Sequence, residues 1–285
     1  MMAATRLEGR PLALRIREEV KQRAAVLRAR GIAPKCVAIV VDGDGPGLLY
    51  AQTARRIGAD AGVNIEIVPI GASADTSGAL AIVLRIVDEP TVHGLIIQRP
   101  LPAKLDEQRI VEAIDPAKDV DGAHPYNQGL LALGKPQFVP STASAVLEIL
   151  SLPPTPPLRG ARVAVVGRSA VVGRPAAALL TAADATVTVC HSRTKDLAAI
   201  TFASDIVVLA VGKPGFLTGD MVAPGAIVVD VGTTVVDGRL VGDADPISVS
   251  AVAGALTPVP GGVGPITTSI LLRNIVSAAE ALNQS

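Results

Sequence analysis

Apolar residues recur along this chain in two alternating patterns, and the alternation predicts the architecture. Leu12, Ile16, Val20 and Leu27 share one face at helical spacing, which predicts a helix over 11–30 that Gly31 stops. Cys36–Val41 is a short continuous apolar run, the pattern of a strand buried on both faces. A second helix is expected over 46–61, ended by Gly62, and a strand over 63–70. Asp75 or Thr76 is suited to cap a helix reaching Val87, and Gly94–Ile97 forms a third, fully apolar strand. Strands separated by helices predict parallel pairing.

Pro153-Pro154-Thr155-Pro156-Pro157 interrupts the rhythm as a semi-rigid extended connector, a candidate domain linker. Beyond it the βα alternation restarts, with valine-rich strands expected over 161–166, 186–190, 206–211 and 227–231. An amphipathic helix over 266–282 closes the chain, and no fixed-period repeat is present. The expected fold is α/β, with two α/β domains, the second a Rossmann-like parallel sheet. The 285 residues allow two domains, and 49% hydrophobic content supplies a core. With 2% aromatics and no Trp, that core must be Ala, Val, Leu and Ile.

The formal net charge is zero, and there is no basic patch or aromatic platform for nucleic acid. No apolar run reaches the roughly 18 residues of a membrane span, and Glu8, Glu18 and Glu19 interrupt any transit-peptide pattern. Cys36 and Cys190 sit in apolar runs and read as buried free thiols. No Cys or His cluster has metal-ligand spacing, so no metal is expected. These features predict a soluble cytoplasmic protein.

The turn after the 161–166 strand reads Gly167-Arg168-Ser169-Ala170-Val171-Val172-Gly173-Arg174-Pro175. A strand, a glycine turn and a helix start aim backbone N–H groups and the helix dipole at an anion. The spacing departs from G-x-G-x-x-G, since Ser169 replaces the second glycine and Gly173 comes one residue late. Ser192 and Arg193 follow the next strand, where a dinucleotide's adenosine ribose lies in a doubly wound fold. An arginine there, with Arg168 nearby, matches a 2′-phosphate and favours NADP over NAD. Either arginine is otherwise a solvated surface group.

In the first half, Tyr50 is either a packing residue or a stacking surface for a flat substrate. Gln98, leaving the third strand between Ile97 and Arg99-Pro100-Leu101-Pro102, is a candidate substrate hydrogen-bonder. Lys118-Asp119-Val120-Asp121-Gly122 with His124-Pro125-Tyr126-Asn127 is a second polar loop, and its two aspartates also fit a simple turn. Pro258-Val259-Pro260-Gly261-Gly262-Val263-Gly264-Pro265 cannot be helix interior or central strand and reads as a rigid site wall.

Together these motifs resemble the methylenetetrahydrofolate dehydrogenase/methenyltetrahydrofolate cyclohydrolase family, the FolD proteins, over nearly the full chain. The resemblance implies a homodimer with a folate cleft between the two domains. It places 1–140 plus 266–285 in a folate-binding catalytic domain and 141–265 in an NADP-binding Rossmann-like domain. It implies NADP-dependent oxidation of 5,10-methylenetetrahydrofolate, then hydrolysis of the methenyl product to 10-formyltetrahydrofolate. Tyr50, Gln98 and Asp121 become the catalytic and substrate-binding residues, with Pro100, Pro260, Gly261 and Gly262 bordering the folate. Gly167, Arg168, Ser169, Gly173, Ser192, Arg193 and Thr233 become the NADP contacts.

This chain departs from the family on the folate side. Where the family carries a lysine, four residues after the tyrosine, stands Ala54; its serine is Gly47, its leucine after the glutamine is Arg99, and its Cys-Thr-Pro is Ser141-Thr142-Ala143. A methyl group transfers no proton. Arg55 and Arg56 sit about 100° and 200° around the helix and stay protonated. The expectation is a dehydrogenase whose hydrolytic step is impaired. The alternatives are a fully bifunctional enzyme, a non-catalytic folate and NADP binder, and an NADP dehydrogenase for another small substrate.

Overall fold

The computed structural model describes residues 4–283. Strand β1 (Thr5–Arg6) and helix α1 (Arg10–Ala29) open it, followed by β2 (Lys35–Val41), α2 (Gly45–Asp60) and β3 (Asn64–Ile70). Next come α3 (Thr76–Val87), β4 (Gly94–Ile97), α4 (Glu107–Glu112), α5 (Pro125–Ala132) and α6 (Ser141–Ile149). The second half holds β5 (Arg162–Val166), α7 (Gly173–Ala182), β6 (Thr186–Cys190), α8 (Leu197–Phe202), β7 (Ile206–Leu209) and β8 (Ile227–Asp230). Strands β9 (Thr234–Val236) and β10 (Arg239–Val241), helix α9 (Pro246–Ser250), β11 (Ala255–Leu256) and α10 (Val263–Leu282) complete it.

The chain divides into two compact units. One holds the residues through Leu14, Leu131–Lys135 and Pro140–Thr267; the other holds Arg15–Leu130, Pro136–Val139 and the residues from Thr268 on. The second unit carries a parallel sheet ordered β3-β2-β4. β2 and β4 are nearly continuous apolar runs buried on both faces, whereas the edge strand β3 exposes Asn64 and Glu66. Ile39, Leu95, Val83 and Ile110 are fully buried in its core. Asp44 starts α2 by accepting a hydrogen bond from the Gly47 N–H (3.0 Å), and Asp75 starts α3 the same way through Gly78 (2.8 Å). Gly31 and Gly62 take positive φ (80° and 82°) just beyond α1 and α2, as helix ends require.

The first unit carries a six-stranded parallel sheet ordered β1-β11-β8-β7-β5-β6. The chain leaves β5 to one side for β6 and to the other for β7, so a topological switch point lies at β5. β9 and β10 form an antiparallel hairpin closed by Asp237 and Gly238, both at positive φ (50° and 75°).

Several boundaries depart from expectation, each for a local reason. β1 belongs to the six-stranded sheet, although residues 1–140 were expected in one domain. At two residues it is too short for the hydrophobic pattern to reveal, and it pairs with β11, continued by Leu7 N–H to Leu256 O (3.0 Å). The expected domain limits at residues 1 and 285 lie outside the described residues. The Pro153–Pro157 stretch lies inside the six-stranded unit and marks no boundary between units. α10 starts inside the Pro/Gly-rich loop, at Val263. Proline is tolerated in a first turn, where its missing N–H would have no helical partner. β7 stops at Leu209 because the Val211 N–H donates to the Asp243 carboxylate (2.7 Å) instead of continuing the ladder. Among the described residues, no helix is long and apolar enough to cross a membrane.

Candidate functional site

In the three-stranded unit, α2 lays Ala51, Ala54 and Gly58 on its buried side. Helical spacing puts these small residues on one side of the helix, and the close approach is at Gly58. A Cβ at Gly58 would meet the Val63 carbonyl (3.0 Å) and Leu272 (3.3 Å). Ala54 has no exposed surface, whereas Arg55 and Arg56 are exposed. Tyr50, one turn before Ala54, is part-buried and hydrogen-bonds the Thr268 side chain of α10. Burial and the charge of Asp121 hold its phenol above the usual range. The buried Cys36 thiol is pushed up by the same two causes. Tyr50, Cys36 and Asp121 therefore share one electrostatic environment.

The loop carrying Asp121 is built by its neighbours. Lys118 is buried, and its Nζ donates to the Val87 (2.6 Å) and Glu89 (2.9 Å) carbonyls beyond the end of α3. The Asp119 carboxylate accepts from the Ala123 N–H (3.0 Å), the His124 N–H (2.8 Å) and Asn127 Nδ2 (2.8 Å). Of the two aspartates, Asp119 thus forms the turn. Asp121 makes none of these bonds; removal from water, then the charge of Asp119, raises its carboxyl to about 7, and Arg99 opposes the rise. Arg99 also pairs with Glu107 (3.2 Å). Gln98 leaves β4 with its N–H still bonded to the Ile39 carbonyl (2.9 Å), ahead of the cis Arg99–Pro100 bond. A Cβ at Gly47 would overlap the Asp44 carboxylate and meet Gln98 Cβ (3.1 Å), so the cap occupies the space a serine would need.

In the six-stranded unit, a cavity of about 440 Å³ lies at the switch point. Gly167, Arg168 and Ser192 line it, with His191, Val211 and Lys213 from the neighbouring strand ends. Gly167 takes φ 124°, and a Cβ there would overlap the Ala210 carbonyl; one at Gly173 would overlap the Gly167 carbonyl. These glycines let the turn fold tightly against the sheet. Ser169, in place of a second glycine, accepts from the Val172 (3.2 Å) and Gly173 (3.4 Å) N–H groups with its Oγ. Arg193 is exposed, its N–H bonded to His191 Nδ1 (3.2 Å). Thr233 is exposed one strand end further along, after β8. A glycine cradle, a helix N-terminus and an exposed arginine beside a cavity of this size fit a phosphorylated dinucleotide.

A second cavity of about 720 Å³ in the same unit is lined by Asp230, Gly242, Pro258 and Pro260 among others. Gly261 follows at φ 117°, its carbonyl accepting from the Gly9 N–H (2.9 Å), and Gly262 N–H donates to the Pro258 carbonyl (2.8 Å). Sequence reasoning missed Thr268, Asp230 and Asp243. Their roles depend on partners far along the chain, which no local pattern announces. Among the described residues no three His, Cys, Asp or Glu side chains converge as a metal site.

The family profile described as tetrahydrofolate dehydrogenase/cyclohydrolase, catalytic domain, matches residues 7–121. The one described as tetrahydrofolate dehydrogenase/cyclohydrolase, NAD(P)-binding domain, matches residues 140–283. Bifunctional protein FolD of Roseiflexus sp. (strain RS-1) is 47% identical over 281 residues, covering 98% of this chain and 97% of that protein. Bifunctional protein FolD of Parafrankia sp. (strain EAN1pec) is 48% identical over 273 residues, covering 96% and 98%. The crystal structure of Trypanosoma brucei N5,N10-methylenetetrahydrofolate dehydrogenase-cyclohydrolase, complexed with NADP cofactor and inhibitor, matches with a TM-score of 0.95 at 37% identity, covering 100% of both chains.

Proposed function

The chain belongs to the tetrahydrofolate dehydrogenase/cyclohydrolase family, and on that premise we propose that it oxidises 5,10-methylenetetrahydrofolate with NADP and is impaired in hydrolysing the methenyl product. NADP is the hydride acceptor. The Gly167–Gly173 turn and the start of α7 hold its phosphates, and Arg168, Ser192 and Arg193 face its 2′-phosphate. Thr233 contributes from the neighbouring strand end. Tyr50 stacks on the folate, Gln98 and Asp121 hydrogen-bond it, and Pro100 borders it.

Oxidation asks the protein mainly to position two carbons. Loss of hydride turns a neutral methylene bridge into an amidinium cation, and an ionised Asp121 carboxylate lowers the energy of that charge. Hydrolysis asks for more, because water must lose a proton as it adds to the amidinium carbon and a ring nitrogen must gain one as the bridge opens. The observation that carries the reading is Ala54, a fully buried methyl one turn from Tyr50. Tyr50 stays protonated at neutral pH, and Arg55 and Arg56 are exposed. Loss of a general acid/base group lowers a rate by about 10²–10⁴-fold.

One observation favours a second reading, retention of both activities: Asp121 titrates near neutrality and can itself accept a proton. The disappearance of added methenyltetrahydrofolate with purified protein separates the two. We expect a rate close to the uncatalysed one. Rapid disappearance that follows an ionisation near 7 and is lost in Asp121→Asn would overturn the impairment. A cytoplasmic homodimer is part of the proposal. It is supported by the family resemblance and by the outer edge of β6, where Val189 is 40% exposed and no further strand pairs among the described residues. Light scattering giving the mass of one chain would refute the dimer.

A further inference from the structure

Three consecutive N–H groups converge on one carboxylate in the six-stranded unit. Asp243, fully buried, accepts from Val211 (2.7 Å) and Gly212 (3.0 Å) with Oδ2 and from Lys213 (2.8 Å) with Oδ1. Gly212 takes φ 67°, which turns the successive N–H groups inward. Such a concavity of backbone N–H groups is an anion nest, the arrangement that elsewhere holds phosphate. Here it opens from the end of β7, and Val211 and Lys213 also line the switch-point cavity with Arg168 and Ser192.

The carboxylate that fills the nest is itself fixed. The Asp243 N–H (3.0 Å) and Ala244 N–H (2.8 Å) donate to the buried Asp230 carboxylate, which also accepts from the Gly232 N–H (2.8 Å). A Cβ at Gly232 would overlap the Asp243 carboxylate, so the approach requires glycine there. Two carboxylates in series thus tie together the loops after β7, after β8 and after β10.

We propose that Asp243 is a positioning residue for the dinucleotide. It is a built-in anion that occupies the Val211–Lys213 nest, fixes that wall of the cavity and leaves the Gly167–Gly173 turn as the place for the cofactor's phosphates. The inference rests on the NADP reading above. Asn at this position keeps the shape but turns an amide N–H toward donors, and Ala leaves an empty nest.

Calorimetric titration of the folded protein with NADP tests it. Wild type is expected to bind, and Asp243→Asn to bind about tenfold or more weakly. Asp243→Ala is expected to weaken binding similarly and to recover when formate, a carboxylate small enough for the nest, is added in the tens of millimolar. Formate should leave wild-type affinity unchanged. A residue that only staples the fold would lower the melting temperature and leave the NADP affinity of the folded variant unaltered; that result, or Asp243→Ala affinity indifferent to formate, overturns the inference. Should Asp243→Ala not fold, the affinity of Asp243→Asn decides alone. Failure of the wild type to bind NADP would overturn the functional reading with it, whereas wild-type binding with unchanged variants overturns this inference only.

Discussion

Replacing Asp121 with Asn should stabilise the protein above neutral pH, by a smaller amount at about pH 5, and leave it nearly unchanged only below about pH 4. The carboxyl is raised from 3.8 to about 7, chiefly by removal from water. Between those values the native state holds a proton that the unfolded chain releases, so stability falls as pH rises through that window and stays low above it. Each pH unit of difference corresponds to about 1.4 kcal/mol, which sets a ceiling of about 4 kcal/mol. Asp121 keeps part of its surface in water, so about 2 kcal/mol is the working magnitude at pH 8. Asparagine carries no charge and loses that penalty. Urea unfolding of both proteins at pH 5 and pH 8 measures the difference. Wild type should lose stability between these values while the variant does not. Parallel pH dependence in the two would refute the claim that a buried, ionisable carboxylate sits at position 121. Oxidation by the variant should fall as its stability rises, the trade expected where charge is kept for chemistry.

Other perturbations report on neighbouring parts. Gly47→Ser must displace the Asp44 carboxylate from the start of α2, so the helix should lose about 0.5–2 kcal/mol, seen as a lower unfolding midpoint. Gly173→Ala pushes a methyl into the Gly167 carbonyl, where only backbone can move; about 1–3 kcal/mol of stability and much of the NADP affinity should be lost, by thermal melting and calorimetry. Arg168→Gln should lower kcat/KM for NADP about tenfold or more and barely change it for NAD, since only NADP carries the 2′-phosphate.

The parts of this fold that were legible in the sequence are those whose pattern is local. Cys36–Val41 and Gly94–Ile97 read as buried strands because both faces are covered by helices, and the expected strands at 186–190 and at 94–97 match β6 and β4. β1 and β11 were not legible, since a two-residue strand has no period and its partner is remote in sequence. The hairpin β9–β10 had a readable signal: Asp237-Gly238 between valine-rich flanks is a two-residue turn pattern. In the candidate site, the glycine turn stood out by residue type, whereas Asp121 entered only through the family resemblance, since both aspartates also fit a simple turn. The division of labour between Asp119 and Asp121 did not, because only the partners of each carboxylate distinguish an anchor from a free acid. Asp243 looked like any loop aspartate, and its role follows from N–H groups about thirty residues upstream.

Position 54 carries the functional account. Wild type and Ala54→Lys, each supplied with 5,10-methylenetetrahydrofolate and NADP, should be followed together for methenyl accumulation and 10-formyl product. The account predicts that wild type forms the methenyl compound and leaves it largely unhydrolysed, and that the lysine variant hydrolyses it at least about tenfold faster. Wild type converting the methenyl compound to the 10-formyl product as fast as it forms, with no gain from the lysine, would contradict it.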